Sequence, residues 1–358
     1  MKISDCSNWL LENGGPIIRH LITHNPISAP NMNEDRPGDE LMHSDEVRYW
    51  QGCLTGDMSF NGIHGSRDIC FENAMGKLSL FGLRRGVDDL DRLSKPYLLL
   101  LANSSKDENV IMVLYRTIIA AMLAMSGYLT APGVREWILQ RLETVNKFVN
   151  EHESAIYVEK SKFKHIPSAL KNYQVVNPDL YRDGEFALPW IYDIFAFSIL
   201  SGQTKDQALK TKIEGVISYV LDARYQRLPD GYGIVVSGKN RYNVMGWSVW
   251  LPCFNGMHED DFKLGCLVQR LELMSRFPSA LDSNWFISSL NYLEQYRTDG
   301  GRYLFPRHYI KEKKNSFFVT GAHMGLGENR RRRSAYEIES TFWMLKIAGN
   351  ARANKNSP

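Results

Sequence analysis

Apolar residues recur at intervals of three and four along most of the chain, and this spacing restricts the fold more than any other feature. Such spacing places apolar side chains on one face of an α-helix. It predicts helices at residues 68–83, 91–103, 109–126, 134–150, 186–200, 205–221, 243–254, 261–275, 284–296 and 335–347. Strand patterns are confined to residues 233–237 and 316–320, which we predict to be short hairpin-like loops and not a sheet. The sequence therefore predicts an all-α protein.

Very apolar helices alternate with amphipathic ones. The predicted helix at 186–200 is almost entirely apolar and follows the Asp183-Gly184 turn, whereas the next, at 205–221, keeps a polar face. Alternation with a period of tens of residues predicts an array of helical hairpins. If the array closes, the apolar helices form an inner ring and the amphipathic ones an outer ring. We therefore expect one α/α toroid domain over residues 1–350 and a disordered tail at 351–358.

Composition and charge restrict the partners. The 358 residues include 43 Lys and Arg against 40 Asp and Glu, for a formal net charge of +3. This balance gives no general electrostatic reason to expect nucleic acid as a partner. Five cysteines without a CxxC pair argue against a disulfide framework, and no signal-peptide pattern is visible. We expect a cytoplasmic protein that acts on a small molecule; its oligomeric state is left open.

One segment, residues 110–129, is about as long as a membrane span. Arg116 lies near its middle, where a charge is costly in lipid. We therefore predict a helix buried on all sides within the protein and no membrane span, with peripheral membrane contact left open.

Several motifs resemble the repeats of squalene–hopene cyclases and protein prenyltransferase β subunits. Tyr292-Leu293, Gln295, Gly301 and Tyr303 are similar to the QW motif, with Tyr303 where that motif has Trp and with a short gap between Leu and Gln. Further similar segments are Gln226 with Gly231-Tyr232-Gly233, Trp9-Leu10-Leu11-Glu12, Phe71-Glu72-Asn73, and Glu339-Ser340-Thr341-Phe342-Trp343. The chain thus resembles a bacterial branch of the terpene cyclase and prenyltransferase superfamily. The resemblance implies an α/α toroid of about six hairpins, but not cyclisation itself.

The catalytic motifs of that superfamily are incomplete. The chain has no DxDD motif, and the nearest strings, Asp88-Asp89-Leu90-Asp91 and His258-Glu259-Asp260-Asp261, are predicted to lie in polar loops. The first string supplies only half of a DDxxD-type magnesium site. Zinc would need ligands such as Asp68, Cys70 and His64. We predict no metal and no cofactor, with Mg²⁺ or Zn²⁺ as the alternatives.

Ionisable residues at the beginnings of apolar helices are the candidates for catalysis. Asp193 lies in an apolar segment, where an unpaired charge is expensive, and buried ionisable groups are enriched at functional sites. His64, Asp68 and Glu72 share one face at the beginning of the first predicted apolar helix. His323 lies in the loop before the last predicted helix and can serve as an acid or a base. We predict Asp193, Asp68 and His323 as catalytic residues; the alternative for Asp193 is a structural role, paired with a neighbouring Arg or capping the backbone.

Aromatic and cationic residues near the same helix beginnings are the candidates for substrate binding. We predict this role for Trp190, Arg241, Tyr242 and Trp247. Four consecutive arginines at 330–333 precede the last helix, where guanidinium groups and unpaired backbone N–H groups can bind an anion. We predict that Arg330 and Arg331 bind substrate there; the alternative is a solvated basic turn that pairs with Glu337 and Glu339.

Three functions are compatible with these features. The first is an enzyme or binding protein for an isoprenoid, or another amphipathic anionic small molecule, held in a central aromatic cavity. The second is a carbohydrate-active α/α toroid, a hydrolase or lyase, that uses Asp183, Asp193 and His323. The third is a non-catalytic binding or scaffold toroid.

Overall fold

The computed structural model describes residues 3–24, 38–103, 109–151, 155–182, 184–229, 231–238, 240–256 and 266–355. Most of these residues are helical, as the sequence predicts. The α-helices of the described ranges are α1 (Ile3–Asn13), α2 (Pro16–His24), α3 (Asp39–Met42), α4 (Asp45–Cys53), α5 (Phe60–Ile63), α6 (Phe71–Leu80), α7 (Asp88–Ala102), α8 (Val110–Leu123), α9 (Val134–Glu151), α10 (Ile191–Gln203), α11 (Gln207–Val220), α12 (Ala223–Gln226), α13 (Leu267–Met274), α14 (Pro278–Leu281), α15 (Asn284–Glu294) and α16 (Arg333–Lys355). A π-helical turn, Ala124–Tyr128, follows α8.

The chain divides into two compact units. Unit 1 comprises Met1–Tyr97, Met122–Tyr128 and Leu251–Pro358, and unit 2 comprises Leu98–Ala121 and Leu129–Trp250. The division falls within α7 and within α8. One closed toroid domain over residues 1–350 stays a prediction.

In unit 1, the two ends of the chain come together. α1 packs against α2 and α16, α4 packs against α6, and α13 packs against α15 and α16. α6 is buried along its whole length, including Glu72, Asn73 and Lys77. Burying a polar group is costly unless it is hydrogen-bonded, so the partners of these three side chains determine what surrounds α6.

In unit 2, α9, α10 and α11 pack against one another beside a four-stranded sheet. Its strands are β1 (Tyr157–Val158), β2 (Val175–Val176), β3 (Gly233–Gly238) and β4 (Arg241–Met245), in the order β1-β2-β3-β4. β2 is parallel to β3, and the other pairs are antiparallel. A Cβ at Gly233 would lie 2.4 Å from the Gln174 carbonyl oxygen, so only glycine lets the two chain segments approach this closely.

A buried ion pair joins α9 to α10 in unit 2. Arg141 Nε and Nη2 donate to Asp193 Oδ1 (3.0 Å) and Oδ2 (2.8 Å). Asp193 Oδ2 also accepts the backbone N–H of Trp190, the N-cap residue of α10, at 2.9 Å. Arg141 donates further to the carbonyl oxygens of Phe186 and Leu188. The charge of Asp193 is therefore compensated within the core, as a buried pair requires.

Two secondary-structure predictions are wrong. Residues 243–254 contain no helix, because Trp247 and Cys253 have φ of 65° and 60° and residues 241–245 form β4. Residues 233–237 belong to a real sheet and not to an isolated loop, so the protein is mainly helical and not all-α. Residues 316–320 form no sheet, as predicted; they contain the 3₁₀ turn Phe318–Thr320 and lie in a loop flanked by an antiparallel bridge between Glu312 and His323.

Two further boundaries differ from the sequence predictions. Asp88-Asp89-Leu90-Asp91 begins α7 and is not a loop, consistent with the preference for acidic residues in the first turn of a helix. His258–Asp261 lie outside the described residues. α16 continues through Lys355, so residues 351–355 of the predicted tail are helical, and residues 356–358 are not described.

One helix among the described residues, Val110–Tyr128, has the length and composition of a membrane span, and 83% of its apolar stretch is buried within the protein. Arg116 is buried there, with its guanidinium carbon 5.5 Å from the centre of the Trp137 ring. The composition alone is weak evidence for a span, since a core helix has the same composition.

We expect Arg141→Met to destabilise the protein by about 3–5 kcal/mol, because it leaves the buried Asp193 carboxylate without its cation. Urea unfolding of the full chain measures the change. Lys147→Met, at an exposed position of the same helix, is the control. The double variant Arg141→Met/Asp193→Leu should recover part of the loss; equal stability of Arg141→Met and the control would contradict the role of the pair.

Candidate functional site

The loop before α6 is held in place by the first turn of that helix. Glu72 Oε1 accepts the backbone N–H of Gly65 at 3.0 Å. Asn73 Nδ2 donates to the carbonyl oxygens of Gly65 and Arg67, each at 2.8 Å. Because Glu72 and Asn73 are fully buried and part of a rigid helix, the loop has one well-defined position.

His64 lies in this loop and faces Glu72. Its Nδ1 is 2.9 Å from Glu72 Oε1, an ion-pair distance at which the ring N–H is not aligned for a linear hydrogen bond. The His64 side chain is 12% exposed and that of Glu72 is 0% exposed. Two aromatic rings contact the imidazole: the ring centres of Phe60 and Phe317 are 5.6 Å and 5.3 Å away. A partly accessible histidine is thus oriented by a buried carboxylate.

A second segment, residues 314–317, brings further side chains beside His64. Lys314 Nζ lies 4.5 Å from the centre of the Tyr49 ring, and the Asn315 N–H donates to Asp68 Oδ1 at 2.7 Å. Two residues further on, Phe317 contacts His64. Because three residue steps span at most about 10 Å, Tyr49, Asp68 and His64 lie close together along this segment.

We call this group the α6 rim and define it by six residues: Tyr49, Phe60, His64, Asp68, Lys314 and Phe317. Tyr49 and Phe60 are 40% and 38% exposed, and Ile69 in the same loop is also exposed. Single exposed apolar residues are ordinary on a protein surface, but here two exposed aromatic rings belong to the same group as the histidine.

Asp68 anchors the rim. The Tyr49 hydroxyl donates to Asp68 Oδ2 at 2.8 Å, while Oδ1 accepts from Asn315. Burial and the Asp68 carboxylate raise the pKa of Tyr49. Asp68 is itself buried and uses both oxygens within the protein, so the structure gives this predicted acid a positioning role.

Buried side chains hold the segment that carries Phe317. Phe318 N–H donates to Asn73 Oδ1 at 2.7 Å, and its carbonyl accepts from Gln269 Nε2 at 2.9 Å. Arg270 Nη2 donates to the Val319 carbonyl at 2.9 Å. The backbone groups of residues 318 and 319 thus form hydrogen bonds with side chains. In a strand, the same groups would bond to a neighbouring strand.

A charged cluster lies further along α6. Lys77 Nζ donates to Glu312 Oε2 and the Gly325 carbonyl, both at 2.6 Å, and to the His323 carbonyl at 3.1 Å. Burial alone would raise the pKa of Glu312, but Lys77 and His323 outweigh it and lower that pKa to about 2. The loop that carries Lys314 and Phe317 is therefore held against α6 by an ionised pair.

The predicted base His323 is buried in this cluster. Its Nε2 lies 2.6 Å from the Ser316 carbonyl oxygen and therefore carries the proton, since a carbonyl only accepts. Its Nδ1 is 3.8 Å from Glu312 Oε1, and its ring lies edge-on to Trp50 at 5.2 Å. His323 thus fixes the same loop from within.

Arg330, a predicted anion-binding residue, turns inward. It forms an ion pair with the fully buried Glu339 and donates through Nη1 to the Ile310 carbonyl at 2.6 Å. Burial raises the pKa of Glu339 to about 7 despite Arg330 and the Leu326 N–H. Arg331 is exposed in the turn two residues before α16.

The other predicted site residues lie in unit 2. Trp190 is fully buried and stacks on Phe186 at 4.3 Å, and Asp193 is paired with Arg141. Trp247 is half-buried and accepts the Ile191 N–H through its carbonyl at 2.9 Å. Arg241 is exposed on β4, and the Tyr242 hydroxyl donates to the Lys164 carbonyl. Asp183 lies outside the described residues.

The zinc ligands considered from the sequence have separate partners. Cys70 Sγ donates to the Asn61 carbonyl at 3.3 Å, Asp68 bonds Tyr49 and Asn315, and His64 faces Glu72. Across the described ranges, no three His, Cys, Asp or Glu side chains come close enough together to hold a metal ion.

Part of the α6 rim can be recognised from the sequence. His64, Asp68 and Glu72 are recognisable as one helix-beginning group. Tyr49 and Lys314 are not, because no spacing rule connects a residue of α4 with a loop near the end of the chain.

Comparison with protein-family models, with curated proteins and with solved structures finds no match to this chain. The resemblance to the terpene cyclase and prenyltransferase superfamily therefore stays a prediction.

Glu339, which faces Arg330, and Glu312, which faces Lys77, predict opposite effects of pH on stability. Protonated Glu339 is favoured in the folded state, so its contribution is lost as pH rises from 4.5 through about 7. We expect the stability of the wild type relative to Glu339→Gln to fall over this range by on the order of 3 kcal/mol. Urea unfolding at several pH values measures it.

Glu312→Gln is the matched comparison. Ionised Glu312 is favoured in the folded state, so its contribution is lost as pH falls from 4.5 towards about 2. The wild type should therefore lose stability relative to this variant on acidification. The same sign of pH dependence for both variants would contradict the assignment.

Proposed function

We propose that the α6 rim is the active site of a carbohydrate-active enzyme in which His64 is the general base. The observation that carries the proposal is His64 Nδ1 at 2.9 Å from the fully buried Glu72 carboxylate, with the Phe60 and Phe317 rings in contact with the imidazole. A carboxylate in this position fixes the ring orientation of histidine and stabilises the imidazolium that forms when histidine accepts a proton. The other ring nitrogen of His64, Nε2, then exchanges the proton with the substrate.

Imperfect alignment of the His64–Glu72 contact is compatible with this role. In structures without substrate, catalytic hydrogen bonds are often long or poorly aligned and improve when the substrate binds. The aromatic neighbours limit the access of water to the imidazole, which strengthens its interaction with Glu72.

The exposed rings support a sugar substrate. Tyr49 and Phe60 each present more than a third of their surface. Aromatic rings combine a flat apolar face with little conformational freedom to lose, and the C–H faces of a pyranose can stack on them. The Tyr49 hydroxyl and the Lys314 ammonium group can form hydrogen bonds with hydroxyl groups of the same sugar.

The isoprenoid function has less geometric support. It requires Asp193 or Asp68 as an acid and Arg330 as an anion-binding group, and each of these side chains is bonded within the protein. That function, the closed ring of about six hairpins and the cytoplasmic location stay predictions.

We expect His64→Ala to lower kcat on a responsive oligosaccharide by about 10²- to 10⁴-fold, the usual contribution of a general base. Glu72→Gln should give a smaller loss, since the imidazole is retained but no longer oriented by a charge. His43→Ala, at an exposed histidine bonded to its own helix, is the control. Release of reducing ends from a panel of oligosaccharides measures activity.

Circular dichroism confirms that each variant is folded. No turnover of any saccharide by the wild type, or equal rates for His64→Ala and His43→Ala, would contradict the proposal.

A further inference from the structure

We propose that the α6 rim cleaves an acidic polysaccharide by β-elimination, with Lys314 binding the carboxylate of a uronic acid residue. This inference rests on the proposed function and names its substrate class and reaction. It follows from which ionisable groups of the rim are accessible and which are hydrogen-bonded within the protein.

Glycoside hydrolysis usually needs two carboxyl groups on opposite sides of the scissile bond. The rim carboxylate Asp68 uses both oxygens within the protein, and Glu72, behind His64, is fully buried. The exposed Asp57 accepts the Ser59 N–H at 2.9 Å, and this bond lowers the pKa of Asp57, which makes it a poor proton donor. The rim therefore offers a base and a cation in place of an acid–nucleophile pair.

Lys314 provides the cation. It is exposed, and its Nζ lies 4.5 Å from the centre of the Tyr49 ring. The backbone bond of Asn315 to the buried Asp68 fixes this part of the segment, and Phe317 contacts His64 at its other end. A sugar stacked on Tyr49 can therefore place a carboxylate against Lys314 while its ring reaches towards His64.

The elimination balances with these groups alone. His64 Nε2 takes the proton from the ring carbon that bears the carboxylate, and Lys314 stabilises the negative charge that develops on that carboxylate. The electron pair forms a double bond to the adjacent carbon, whose bond to the glycosidic oxygen breaks. His64 then gives its proton to the leaving oxygen. The products are an unsaturated uronate and a new chain end, with no oxidant or second reactant.

A single proton carrier limits the substrate stereochemistry. The abstracted proton and the leaving oxygen must lie on the same face of the sugar, since one imidazole serves both. Uronates with this syn arrangement are therefore expected to react, and their epimers with the anti arrangement are not.

The experiment compares uronic acid homopolymers of both configurations with the same polymers after reduction of their carboxyl groups. Ultraviolet absorbance reports the conjugated double bond, and a reducing-end assay reports every chain cleavage. We expect an absorbance increase with the syn polymer only, and none with His64→Ala.

Lys314→Gln should lower kcat/KM on the acidic polymer by about 10- to 100-fold, as expected for loss of a charged hydrogen bond, whereas Lys314→Arg should retain most of the activity. Lys313→Gln removes the adjacent exposed lysine and is the matched control, with activity close to wild type.

The outcomes separate the two proposals. Reducing ends without ultraviolet absorbance, cleavage of the reduced polymers, or equal loss in Lys314→Gln and Lys313→Gln would overturn the elimination while leaving a carbohydrate-active site. Absence of cleavage of every saccharide would overturn the proposed function itself.

Discussion

The burial of polar side chains on α6 is the constraint on which the rest of unit 1 depends. Glu72, Asn73 and Lys77 lie on a helix that is inaccessible to solvent, so each needs a partner inside the protein. Those partners are backbone groups of the two loops that form the rim, together with Glu312. The position of His64 is thus a consequence of hydrogen-bond satisfaction in the core, and the rim is held by its surroundings before any ligand arrives.

In unit 2, buried charged side chains also find their partners within the core. Asp193 and Arg141 satisfy each other, the beginning of α10 and two carbonyl groups, without exposing a charge. The net stability that such a pair adds is smaller than its attraction alone suggests, because desolvation offsets much of that attraction. The comparison shows why a charged residue within an apolar helix does not by itself identify a catalytic group.

Local periodicity was enough to predict most helices, including α9 and α11, because their apolar spacing agrees with their packing. It was insufficient for residues 243–254, where Trp247 and Cys253 adopt positive φ and a strand partner decides the structure. At the candidate site, sequence reasoning grouped His64, Asp68 and Glu72, which are close along the chain. It left open whether Asp193 and Arg330 serve a site or pair with charged residues of the chain, since tertiary packing decides between these alternatives.

The partners of α6 lie far from it in the sequence, and this separation has a consequence for biosynthesis. Lys77 and Glu312 are separated by 235 positions, and Asp68 and Asn315 by 247, whereas Arg141 and Asp193 are only 52 apart. During translation, the pair in unit 2 can form while the acceptors for Lys77 are still unsynthesised. A chain released early would therefore expose α6 as an apolar surface with an uncompensated charge, a feature that chaperones and proteases recognise in incomplete proteins.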